Sequence, residues 1–306
     1  MRIIIIHQVR LPATHYGGSE RITALLARGL QALGHDVTIV CAEGSIPGVP
    51  CVALDSADAL DYACRNADIV HLMAPLSPEL LQRIHVPLLL TVHGNGKPGE
   101  EYPPYAVFLS KNHALRHGHT HFVYNGLDPD AFVMAQERQN YYAFLSKTSW
   151  RVKNLSGAMA IARQAGVSLH IAGGNRPLWA HLRAKLSGFV WHGPVDDSAK
   201  KDLLSHARGL LFPILWEEPF GLVMVEAMMS GCPVFASRLG SVPEIVGPDA
   251  GCILDPPGDY EPWVQVLKKK FDPLKCRTYA VDRFHYMQMA RQYDVLYRRL
   301  MAGSLF

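Results

Sequence analysis

"RIIIIHQVRLPATHYGGSERITALLARGLQALGHDVTIV" (Arg2–Val40) decides the fold class. The run Ile3–Ile6 is continuous and β-branched, the mark of a strand buried on both faces. Polar residues and glycines follow it. Ile22, Leu25, Leu26, Leu30 and Leu33 then recur at helical spacing, with Ser19 as the expected N-cap and Gly34 as the stop. Val37–Val40 opens the next strand. The alternation continues through "DIVHLM" (Asp68–Met73), "PELLQRI" (Pro78–Ile84) and "PLLLTV" (Pro87–Val92). Strand, helix and strand in this order predict a parallel sheet with helices on both faces.

The pattern restarts after residue 125. "YYAFLS", "SLHIAG", "GLLFPI" and "PVFA" read as strands, and "NLSGAMAIARQAG", "SAKKDLLSHA" and "FGLVMVEAMMSG" as helices. "VYNGLDPDAF" (Val123–Phe132) is rich in turn formers and reads as the boundary. The expected organisation is an N-terminal domain over 1–124 and a C-terminal domain over 125–283. A last helix, about 284–306, returns to pack on the first. Two doubly wound domains of this kind face each other across a cleft.

Composition narrows the function. The 306 residues are 49% hydrophobic and 19% charged, enough for sizeable cores, and the net charge of +3 is too small to argue for nucleic acid. The tail beyond Val266 is basic, carrying Lys268, Lys269 and Lys270 among others. It reads as the solvated face of terminal helices, with peripheral contact at the inner face of an anionic membrane as the alternative. The six cysteines are scattered without a C-x-x-C pair, as in a reducing compartment. No signal peptide or spanning segment opens the sequence, so a cytoplasmic protein is expected.

Glycine-rich turns stand where strands hand over to helices. They are "YGGSE" with Gly17 and Gly18, "AGGN" with Gly173, and "RLGSVPE" with Gly240. Such turns let backbone N–H groups approach an anion. None matches a P-loop or a full dinucleotide fingerprint. "SKTSWRVKN" adds Lys147, Arg151 and Lys153 before a helix, cations suited to a diphosphate. "EEPFGLVMVEAMMSGCPVFA" (Glu217–Ala236) sets Glu218 and Glu226 seven residues apart in an otherwise apolar stretch. Pro219 fits the first helical position, which puts Glu218 at the helix mouth. Glu226, eight positions on, would lie a little over two turns along, roughly 80° further round. Two carboxylates so placed suit the hydroxyls of an elongated polyol.

These residues resemble the retaining glycosyltransferases of the GT-B fold, specifically glycosyltransferase family 4. Its E-x-F-G and E-A-x-x-x-G-x-P-V elements stand as Glu218, Phe220, Gly221 and Glu226, Ala227, Gly231, Pro233, Val234. Its G-x-x-P-E-I-V stands as Gly240, Pro243, Glu244, Ile245, Val246. N-G-x-D stands as Asn125, Gly126 and Asp128, G-G-x-E as Gly17, Gly18 and Glu20, and T-x-H-G as Thr91, His93 and Gly94.

The resemblance implies roles. Glu226 would hold the nucleotide ribose. Glu218 would hold the donor sugar, with the N–H groups of Phe220, Gly221 and Leu222. Lys153 would meet the diphosphate, with Lys147 or Arg151 as second cation at a spacing shifted from the family's. Gly17 and Gly18 would approach the phosphates, His93 would face the reacting sugar, and Leu222 and Val223 would flank sugar and nucleotide. The base would be read near Arg176 and His192. The implied reaction moves a sugar from a UDP-sugar or GDP-mannose to a hydroxyl with retention. The leaving diphosphate oxygen takes the acceptor's proton and no metal or other cofactor is needed. Acceptors would be growing lipopolysaccharide, capsule or other glycans, lipid-linked or small hydroxyl compounds.

Alternatives are a phosphorylase or isomerase on a related fold and a non-catalytic nucleotide-sugar-binding subunit. Asp128 and Asp130 lie in the boundary, and His113 and His117 read as core or surface histidines, so neither pair is expected to bind metal. The N-terminal half is shorter than is usual in the family. That suggests a small or exposed acceptor, or a cleft completed by a partner or a membrane.

Overall fold

The computed structural model describes residues 1–12, 17–97, 99–174 and 188–304. The chain divides into two compact units, Met1–Asp128 with Phe284–Phe306, and Pro129–Arg283.

The first unit holds a six-stranded sheet. Its strands are β1 (Arg2–Leu11), β2 (Asp36–Gly44), β3 (Cys51–Ala53), β4 (Ile69–Leu72), β5 (Leu88–Thr91) and β6 (Ala106–Val107). Their order is β3-β2-β1-β4-β5-β6, with every pairing parallel. Ile3–Ile6 are fully buried, as a central strand covered on both faces requires. Helix α1 (Gly18–Ala32) turns Ile22, Leu25, Leu26 and Leu30 inward. Its N-cap is Gly17 rather than Ser19, whose hydroxyl instead donates to Glu20 Oε2. Four shorter or terminal helices complete the unit. They are α2 (Ala57–Cys64), α3 (Pro78–Leu81), α4 (Lys111–Arg116) and the last helix, Tyr286–Met301. That last helix crosses α1 where Gly29 faces Ala290. A Cβ on Gly29 would come within 2.6 Å of the Ala290 methyl, so only glycine allows the approach.

The second unit repeats the plan. Its strands are β7 (Tyr141–Leu145), β8 (Ser168–Ala172), β9 (Phe189–Gly193), β10 (Gly209–Phe212), β11 (Val234–Ser237) and β12 (Gly251–Leu254). They are ordered β12-β11-β10-β7-β8-β9, again all parallel. Counted within its own unit, this is the same strand order as in the first. Helices α5 (Leu155–Ala165), α6 (Asp197–His206), α7 (Leu222–Met229), α8 (Val242–Ile245), α9 (Glu261–Val266) and α10 (Pro273–Phe284) flank it. The terminal helix is therefore α11. A core of Phe144, Ile161, Ile171, Leu211, Phe235 and Trp263 fills one face of the sheet.

The N-G-x-D segment has a structural duty. Leu127 donates to the Phe284 carbonyl at 2.8 Å and accepts from Tyr286 N at 2.9 Å. Gly126 lies so close that a Cβ would meet Tyr286 Cα at 2.5 Å. All six cysteines are free thiols. Among the described residues no helix is long and apolar enough to cross a membrane.

Candidate functional site

In each sheet the strand order reverses once, between β1 and β4 and between β7 and β10. Loops that leave the carboxyl ends of strands flanking such a reversal diverge and leave a crevice. Of the predicted residues, Gly17 and Gly18 follow β1, Lys147, Arg151 and Lys153 follow β7, and Glu218, Phe220 and Gly221 follow β10, whereas His93 follows β5, Gly173 follows β8, and Leu222, Val223 and Glu226 lie on α7. Gly17, Gly18 and His93 belong to the first unit and the others to the second.

In the second unit the loop after β7 ends in a 3-10 turn, Arg151–Lys153. Asn154 then takes the left-handed conformation (φ 55°) as N-cap of α5. Its Oδ1 accepts from Gly157 N at 3.0 Å and its Nδ2 donates to the Pro213 carbonyl at 2.9 Å, which ties this loop to the one after β10. Leu215 N adds a bond to the Val152 carbonyl at 2.8 Å. Lys153 Nζ consequently meets Glu218 Oε2 at 2.6 Å, with both side chains about nine-tenths buried. Trp216 Nε1 donates to the same oxygen at 2.9 Å, and its ring lies 4.4 Å from the ammonium. An ammonium has three N–H donors, so one bond to Glu218 leaves capacity for an anion. Lys147 is exposed over the Trp150 ring at 5.0 Å, and Arg151 is exposed at the start of the turn.

The helix carrying Glu226 begins later than the sequence predicts. Gly221, with φ 80°, is the N-cap and α7 starts at Leu222. Pro219 is therefore not its first residue, and Glu218 lies in the preceding loop instead of at the helix mouth. The reason is a clasp from further along the chain. Ser241 N donates to the Glu218 carbonyl at 2.9 Å, and Ser241 Oγ to the Phe220 carbonyl at 2.9 Å. Gly240 N donates to Glu217 Oε2 at 2.5 Å. Gly240 has φ 60°, and a Cβ there would stand 2.3 Å from Glu218 N. The Gly-Ser of "RLGSVPE" thus fixes the position of Glu218.

Phe220 is buried, while Leu222 and Val223 are half-buried in the first turn of α7, where N–H groups have no carbonyl within their own helix. Gly173 has φ 107°, and a Cβ there would strike the Ser146 carbonyl at 2.2 Å, so backbone packing between loops accounts for this glycine. Asn175 and Arg176 lie outside the described residues. His192 is exposed and bonds His170 at 3.1 Å.

Glu226 is 4% exposed. It is met by Lys200, the first of two adjacent lysines in "SAKKDLLSHA" and not among the residues that the sequence singles out. Lys200 Nζ stands 2.9 Å from Glu226 Oε1 and 2.8 Å from Asp197 Oδ1. One signal could have found it. An inward carboxylate on an apolar helix needs a cation, and Lys200 lies on the inward stripe of α6 with Leu203 and Leu204. Trp216 was missed too; an indole beside the glutamates was the clue.

In the first unit Gly17 and Gly18 open α1. His7, near the middle of β1, bonds Thr23 Oγ1 at 2.9 Å through Nδ1. His93 follows β5. Its Nε2 is buried and has no hydrogen-bond partner among the described residues. Burial, with nearby His7, lowers its pKa to about 3, so the ring is neutral. His113 Nε2 donates to the Gly94 carbonyl at 3.0 Å while Nδ1 accepts from Leu109 N at 3.3 Å, which fixes the turn after His93. Behind it, His71 Nδ1 meets Tyr297 OH at 2.6 Å, and its Nε2 meets Thr91 Oγ1 at 2.7 Å. Thr91 Oγ1 in turn meets Tyr293 OH at 2.7 Å. Among the described residues, no group of three or more His, Cys, Asp or Glu side chains is placed to hold a metal ion.

Residues 141–270 match the family model described as glycosyl transferases group 1. The match coincides with the part of the second unit that carries Lys153, Lys200, Glu218 and Glu226. A stretch of 117 residues is 36% identical to an MMP alpha-(1->4)-mannosyltransferase of Mycolicibacterium hassiacum, covering 35% of this chain and 28% of that protein. The chain thus matches under a third of that relative's length. Among solved structures it is similar to AviGT4, a glycosyltransferase involved in avilamycin A biosynthesis, at TM-score 0.81 and 23% identity, covering 99% and 98% of the two chains. It is also similar to Anabaena HepE in complex with UDP-glucose, at TM-score 0.72 and 15% identity, covering 96% and 98%. With the two six-stranded sheets, these likenesses establish a two-domain α/β fold of the GT-B type.

Proposed function

We propose that the protein is a glycosyltransferase that moves a sugar from a nucleotide-sugar donor, a UDP-sugar or GDP-mannose, to a hydroxyl of a growing glycan or lipid-linked acceptor. The observation that carries the proposal is the pairing of Lys153 with Glu218 at 2.6 Å at the strand-order reversal, in the segment that matches the family model. Glu218 takes the donor sugar's hydroxyls, and Lys153 takes the diphosphate with one of its remaining N–H groups. The first-turn N–H groups of Leu222 and Val223 add a field that favours the anion. Glu226 takes the ribose. In the first unit His93, a neutral ring with a buried nitrogen, is assigned to the reacting sugar, and Gly17 and Gly18 to the phosphates.

Transfer proceeds with retention and without a metal. The leaving diphosphate oxygen accepts the acceptor's proton on the face where the new bond forms. The protein supplies charge stabilisation and orientation. The reaction takes place in the cytoplasm, and the mannosyltransferase relative favours GDP-mannose as the first donor to try.

The test is a panel of UDP-, GDP- and ADP-sugars followed by NMR, with wild type beside Glu226→Ala. One nucleotide sugar should bind, hydrolyse slowly without acceptor, and lose about tenfold or more in affinity in the variant. No binding, or binding indifferent to Glu226, overturns the proposal.

A further inference from the structure

We infer that Lys200 is a positioning residue of the nucleotide subsite, holding the Glu226 carboxylate in the orientation that selects a ribose diol. The inference rests on the donor-binding role given to Glu226 above. Glu226 is carried by a helix whose neighbouring residues Met224, Val225, Ala227 and Met228 are all buried and apolar. A carboxylate in such a place requires a counter-charge. Lys200, 8% exposed, reaches it from α6. The ammonium is tied at two points, to Glu226 Oε1 at 2.9 Å inside and to Asp197 Oδ1 at 2.8 Å. Asp197 stands in the first turn of α6 with a side chain 60% exposed, so it forms the outer tether.

Two tethers on one ammonium fix where the carboxylate points. A carboxylate presents about four acceptor positions, so contact with Lys200 is compatible with a diol bridging the same group. A ribose offers two adjacent O–H donors to it and a deoxyribose only one. The pair therefore discriminates between sugars of the nucleotide, a task distinct from holding the diphosphate.

The experiment titrates UDP, GDP and ADP and their 2′-deoxy counterparts by calorimetry into wild type, Lys200→Met, Lys200→Arg, Asp197→Asn and Glu226→Gln. Wild type should prefer the ribonucleotide by about tenfold. Lys200→Met should bring that ratio close to one while diphosphate-driven binding persists, and Lys200→Arg should restore part of it. A folded Lys200→Met with the wild-type ratio would show a role in packing alone and sink the inference. If circular dichroism shows Lys200→Met unfolded, Asp197→Asn decides, since it loosens the ammonium from an exposed position. A reduced ratio there supports the inference and an unchanged ratio overturns it. The two levels separate cleanly. If wild type binds no nucleoside diphosphate, or Glu226→Gln keeps the ratio, the donor reading fails and the inference with it. If Glu226→Gln abolishes the preference and Lys200→Met does not, the inference alone fails.

Discussion

Lys153 meets Glu218 at 2.6 Å in the second unit, and His71 meets Tyr297 at the same distance in the first. The distances agree but the chemistry differs. The second unit buries opposite charges in pairs, Lys153 with Glu218 and Lys200 with Glu226. The first buries neutral groups, His71 with Tyr297, Thr91 and Tyr293. Buried ions are costly to desolvate, and removing one partner leaves the other uncompensated. Neutral hydrogen bonds cost less to bury and less to lose. The same strand order thus carries buried ion pairs in one unit and a neutral buried hydrogen-bond network in the other.

Acid should separate the two units most strongly. Burial lowers the pKa of His71 and of His113 to about 3, against 6.5 for a free histidine. Between those values the unfolded chain binds more protons than the folded one, so stability falls as pH drops from about 6.5 toward 3. Each fully buried histidine should cost on the order of 2 kcal/mol at pH 5. In the second unit His170, whose pKa burial lowers to about 4, costs nearly as much at pH 5, but the first unit carries His71, His93 and His113 together, so the second unit's loss should be smaller. Hydrogen exchange read separately over the two sheets at pH 7 and pH 5 checks this, and equal loss of protection in both would break the contrast.

Next in size is Glu226→Leu. It leaves Lys200 buried without its inner partner and should cost about 3 kcal/mol in urea unfolding. A loss below about 1 kcal/mol would mean that the charge pair is far weaker than its burial suggests.

Tyr297→Phe probes the neutral network. It removes the hydroxyl on His71 Nδ1 and should cost about 1 kcal/mol in thermal unfolding. A cost as large as that of Glu226→Leu would erase the distinction between the units.

The central strands were legible from composition alone. Ile3–Ile6, Tyr141–Leu145 and Leu210–Phe212 are uninterrupted apolar runs because each is covered on both faces. The strands β3, β6, β9 and β12 were not read, and all lie at or next to sheet edges. Cys51–Ala53 and Ala106–Val107 are too short to show a period, and "FVWHG" has one buried residue, Phe189, followed by exposed and half-buried ones. Two helix starts were misplaced. Ser19 was read as a cap and Glu218 as standing at a helix mouth, but Gly17 and Gly221 are the caps, and at Gly221 the clasp from Gly240 and Ser241 holds the preceding loop. The glutamates announced themselves as carboxylates out of place among apolar residues. Lys200 did not, because a lysine in a polar helix looks solvated until the fold turns it inward.

The clasp of Gly240 and Ser241 on Glu218 bears on the order of assembly. Glu218 leaves β10, yet the groups that seat it arrive only after the chain has passed through α7 and β11. Contacts so separated along the chain form late, since the intervening loop must close first. A second unit caught before β11 docks would hold β7, β8 and β10 side by side and already carry Lys153 on its turn, yet have no seated carboxylate opposite it. The seat of Glu218 is thus completed only once β11 has joined, and its presence reports that this strand has docked.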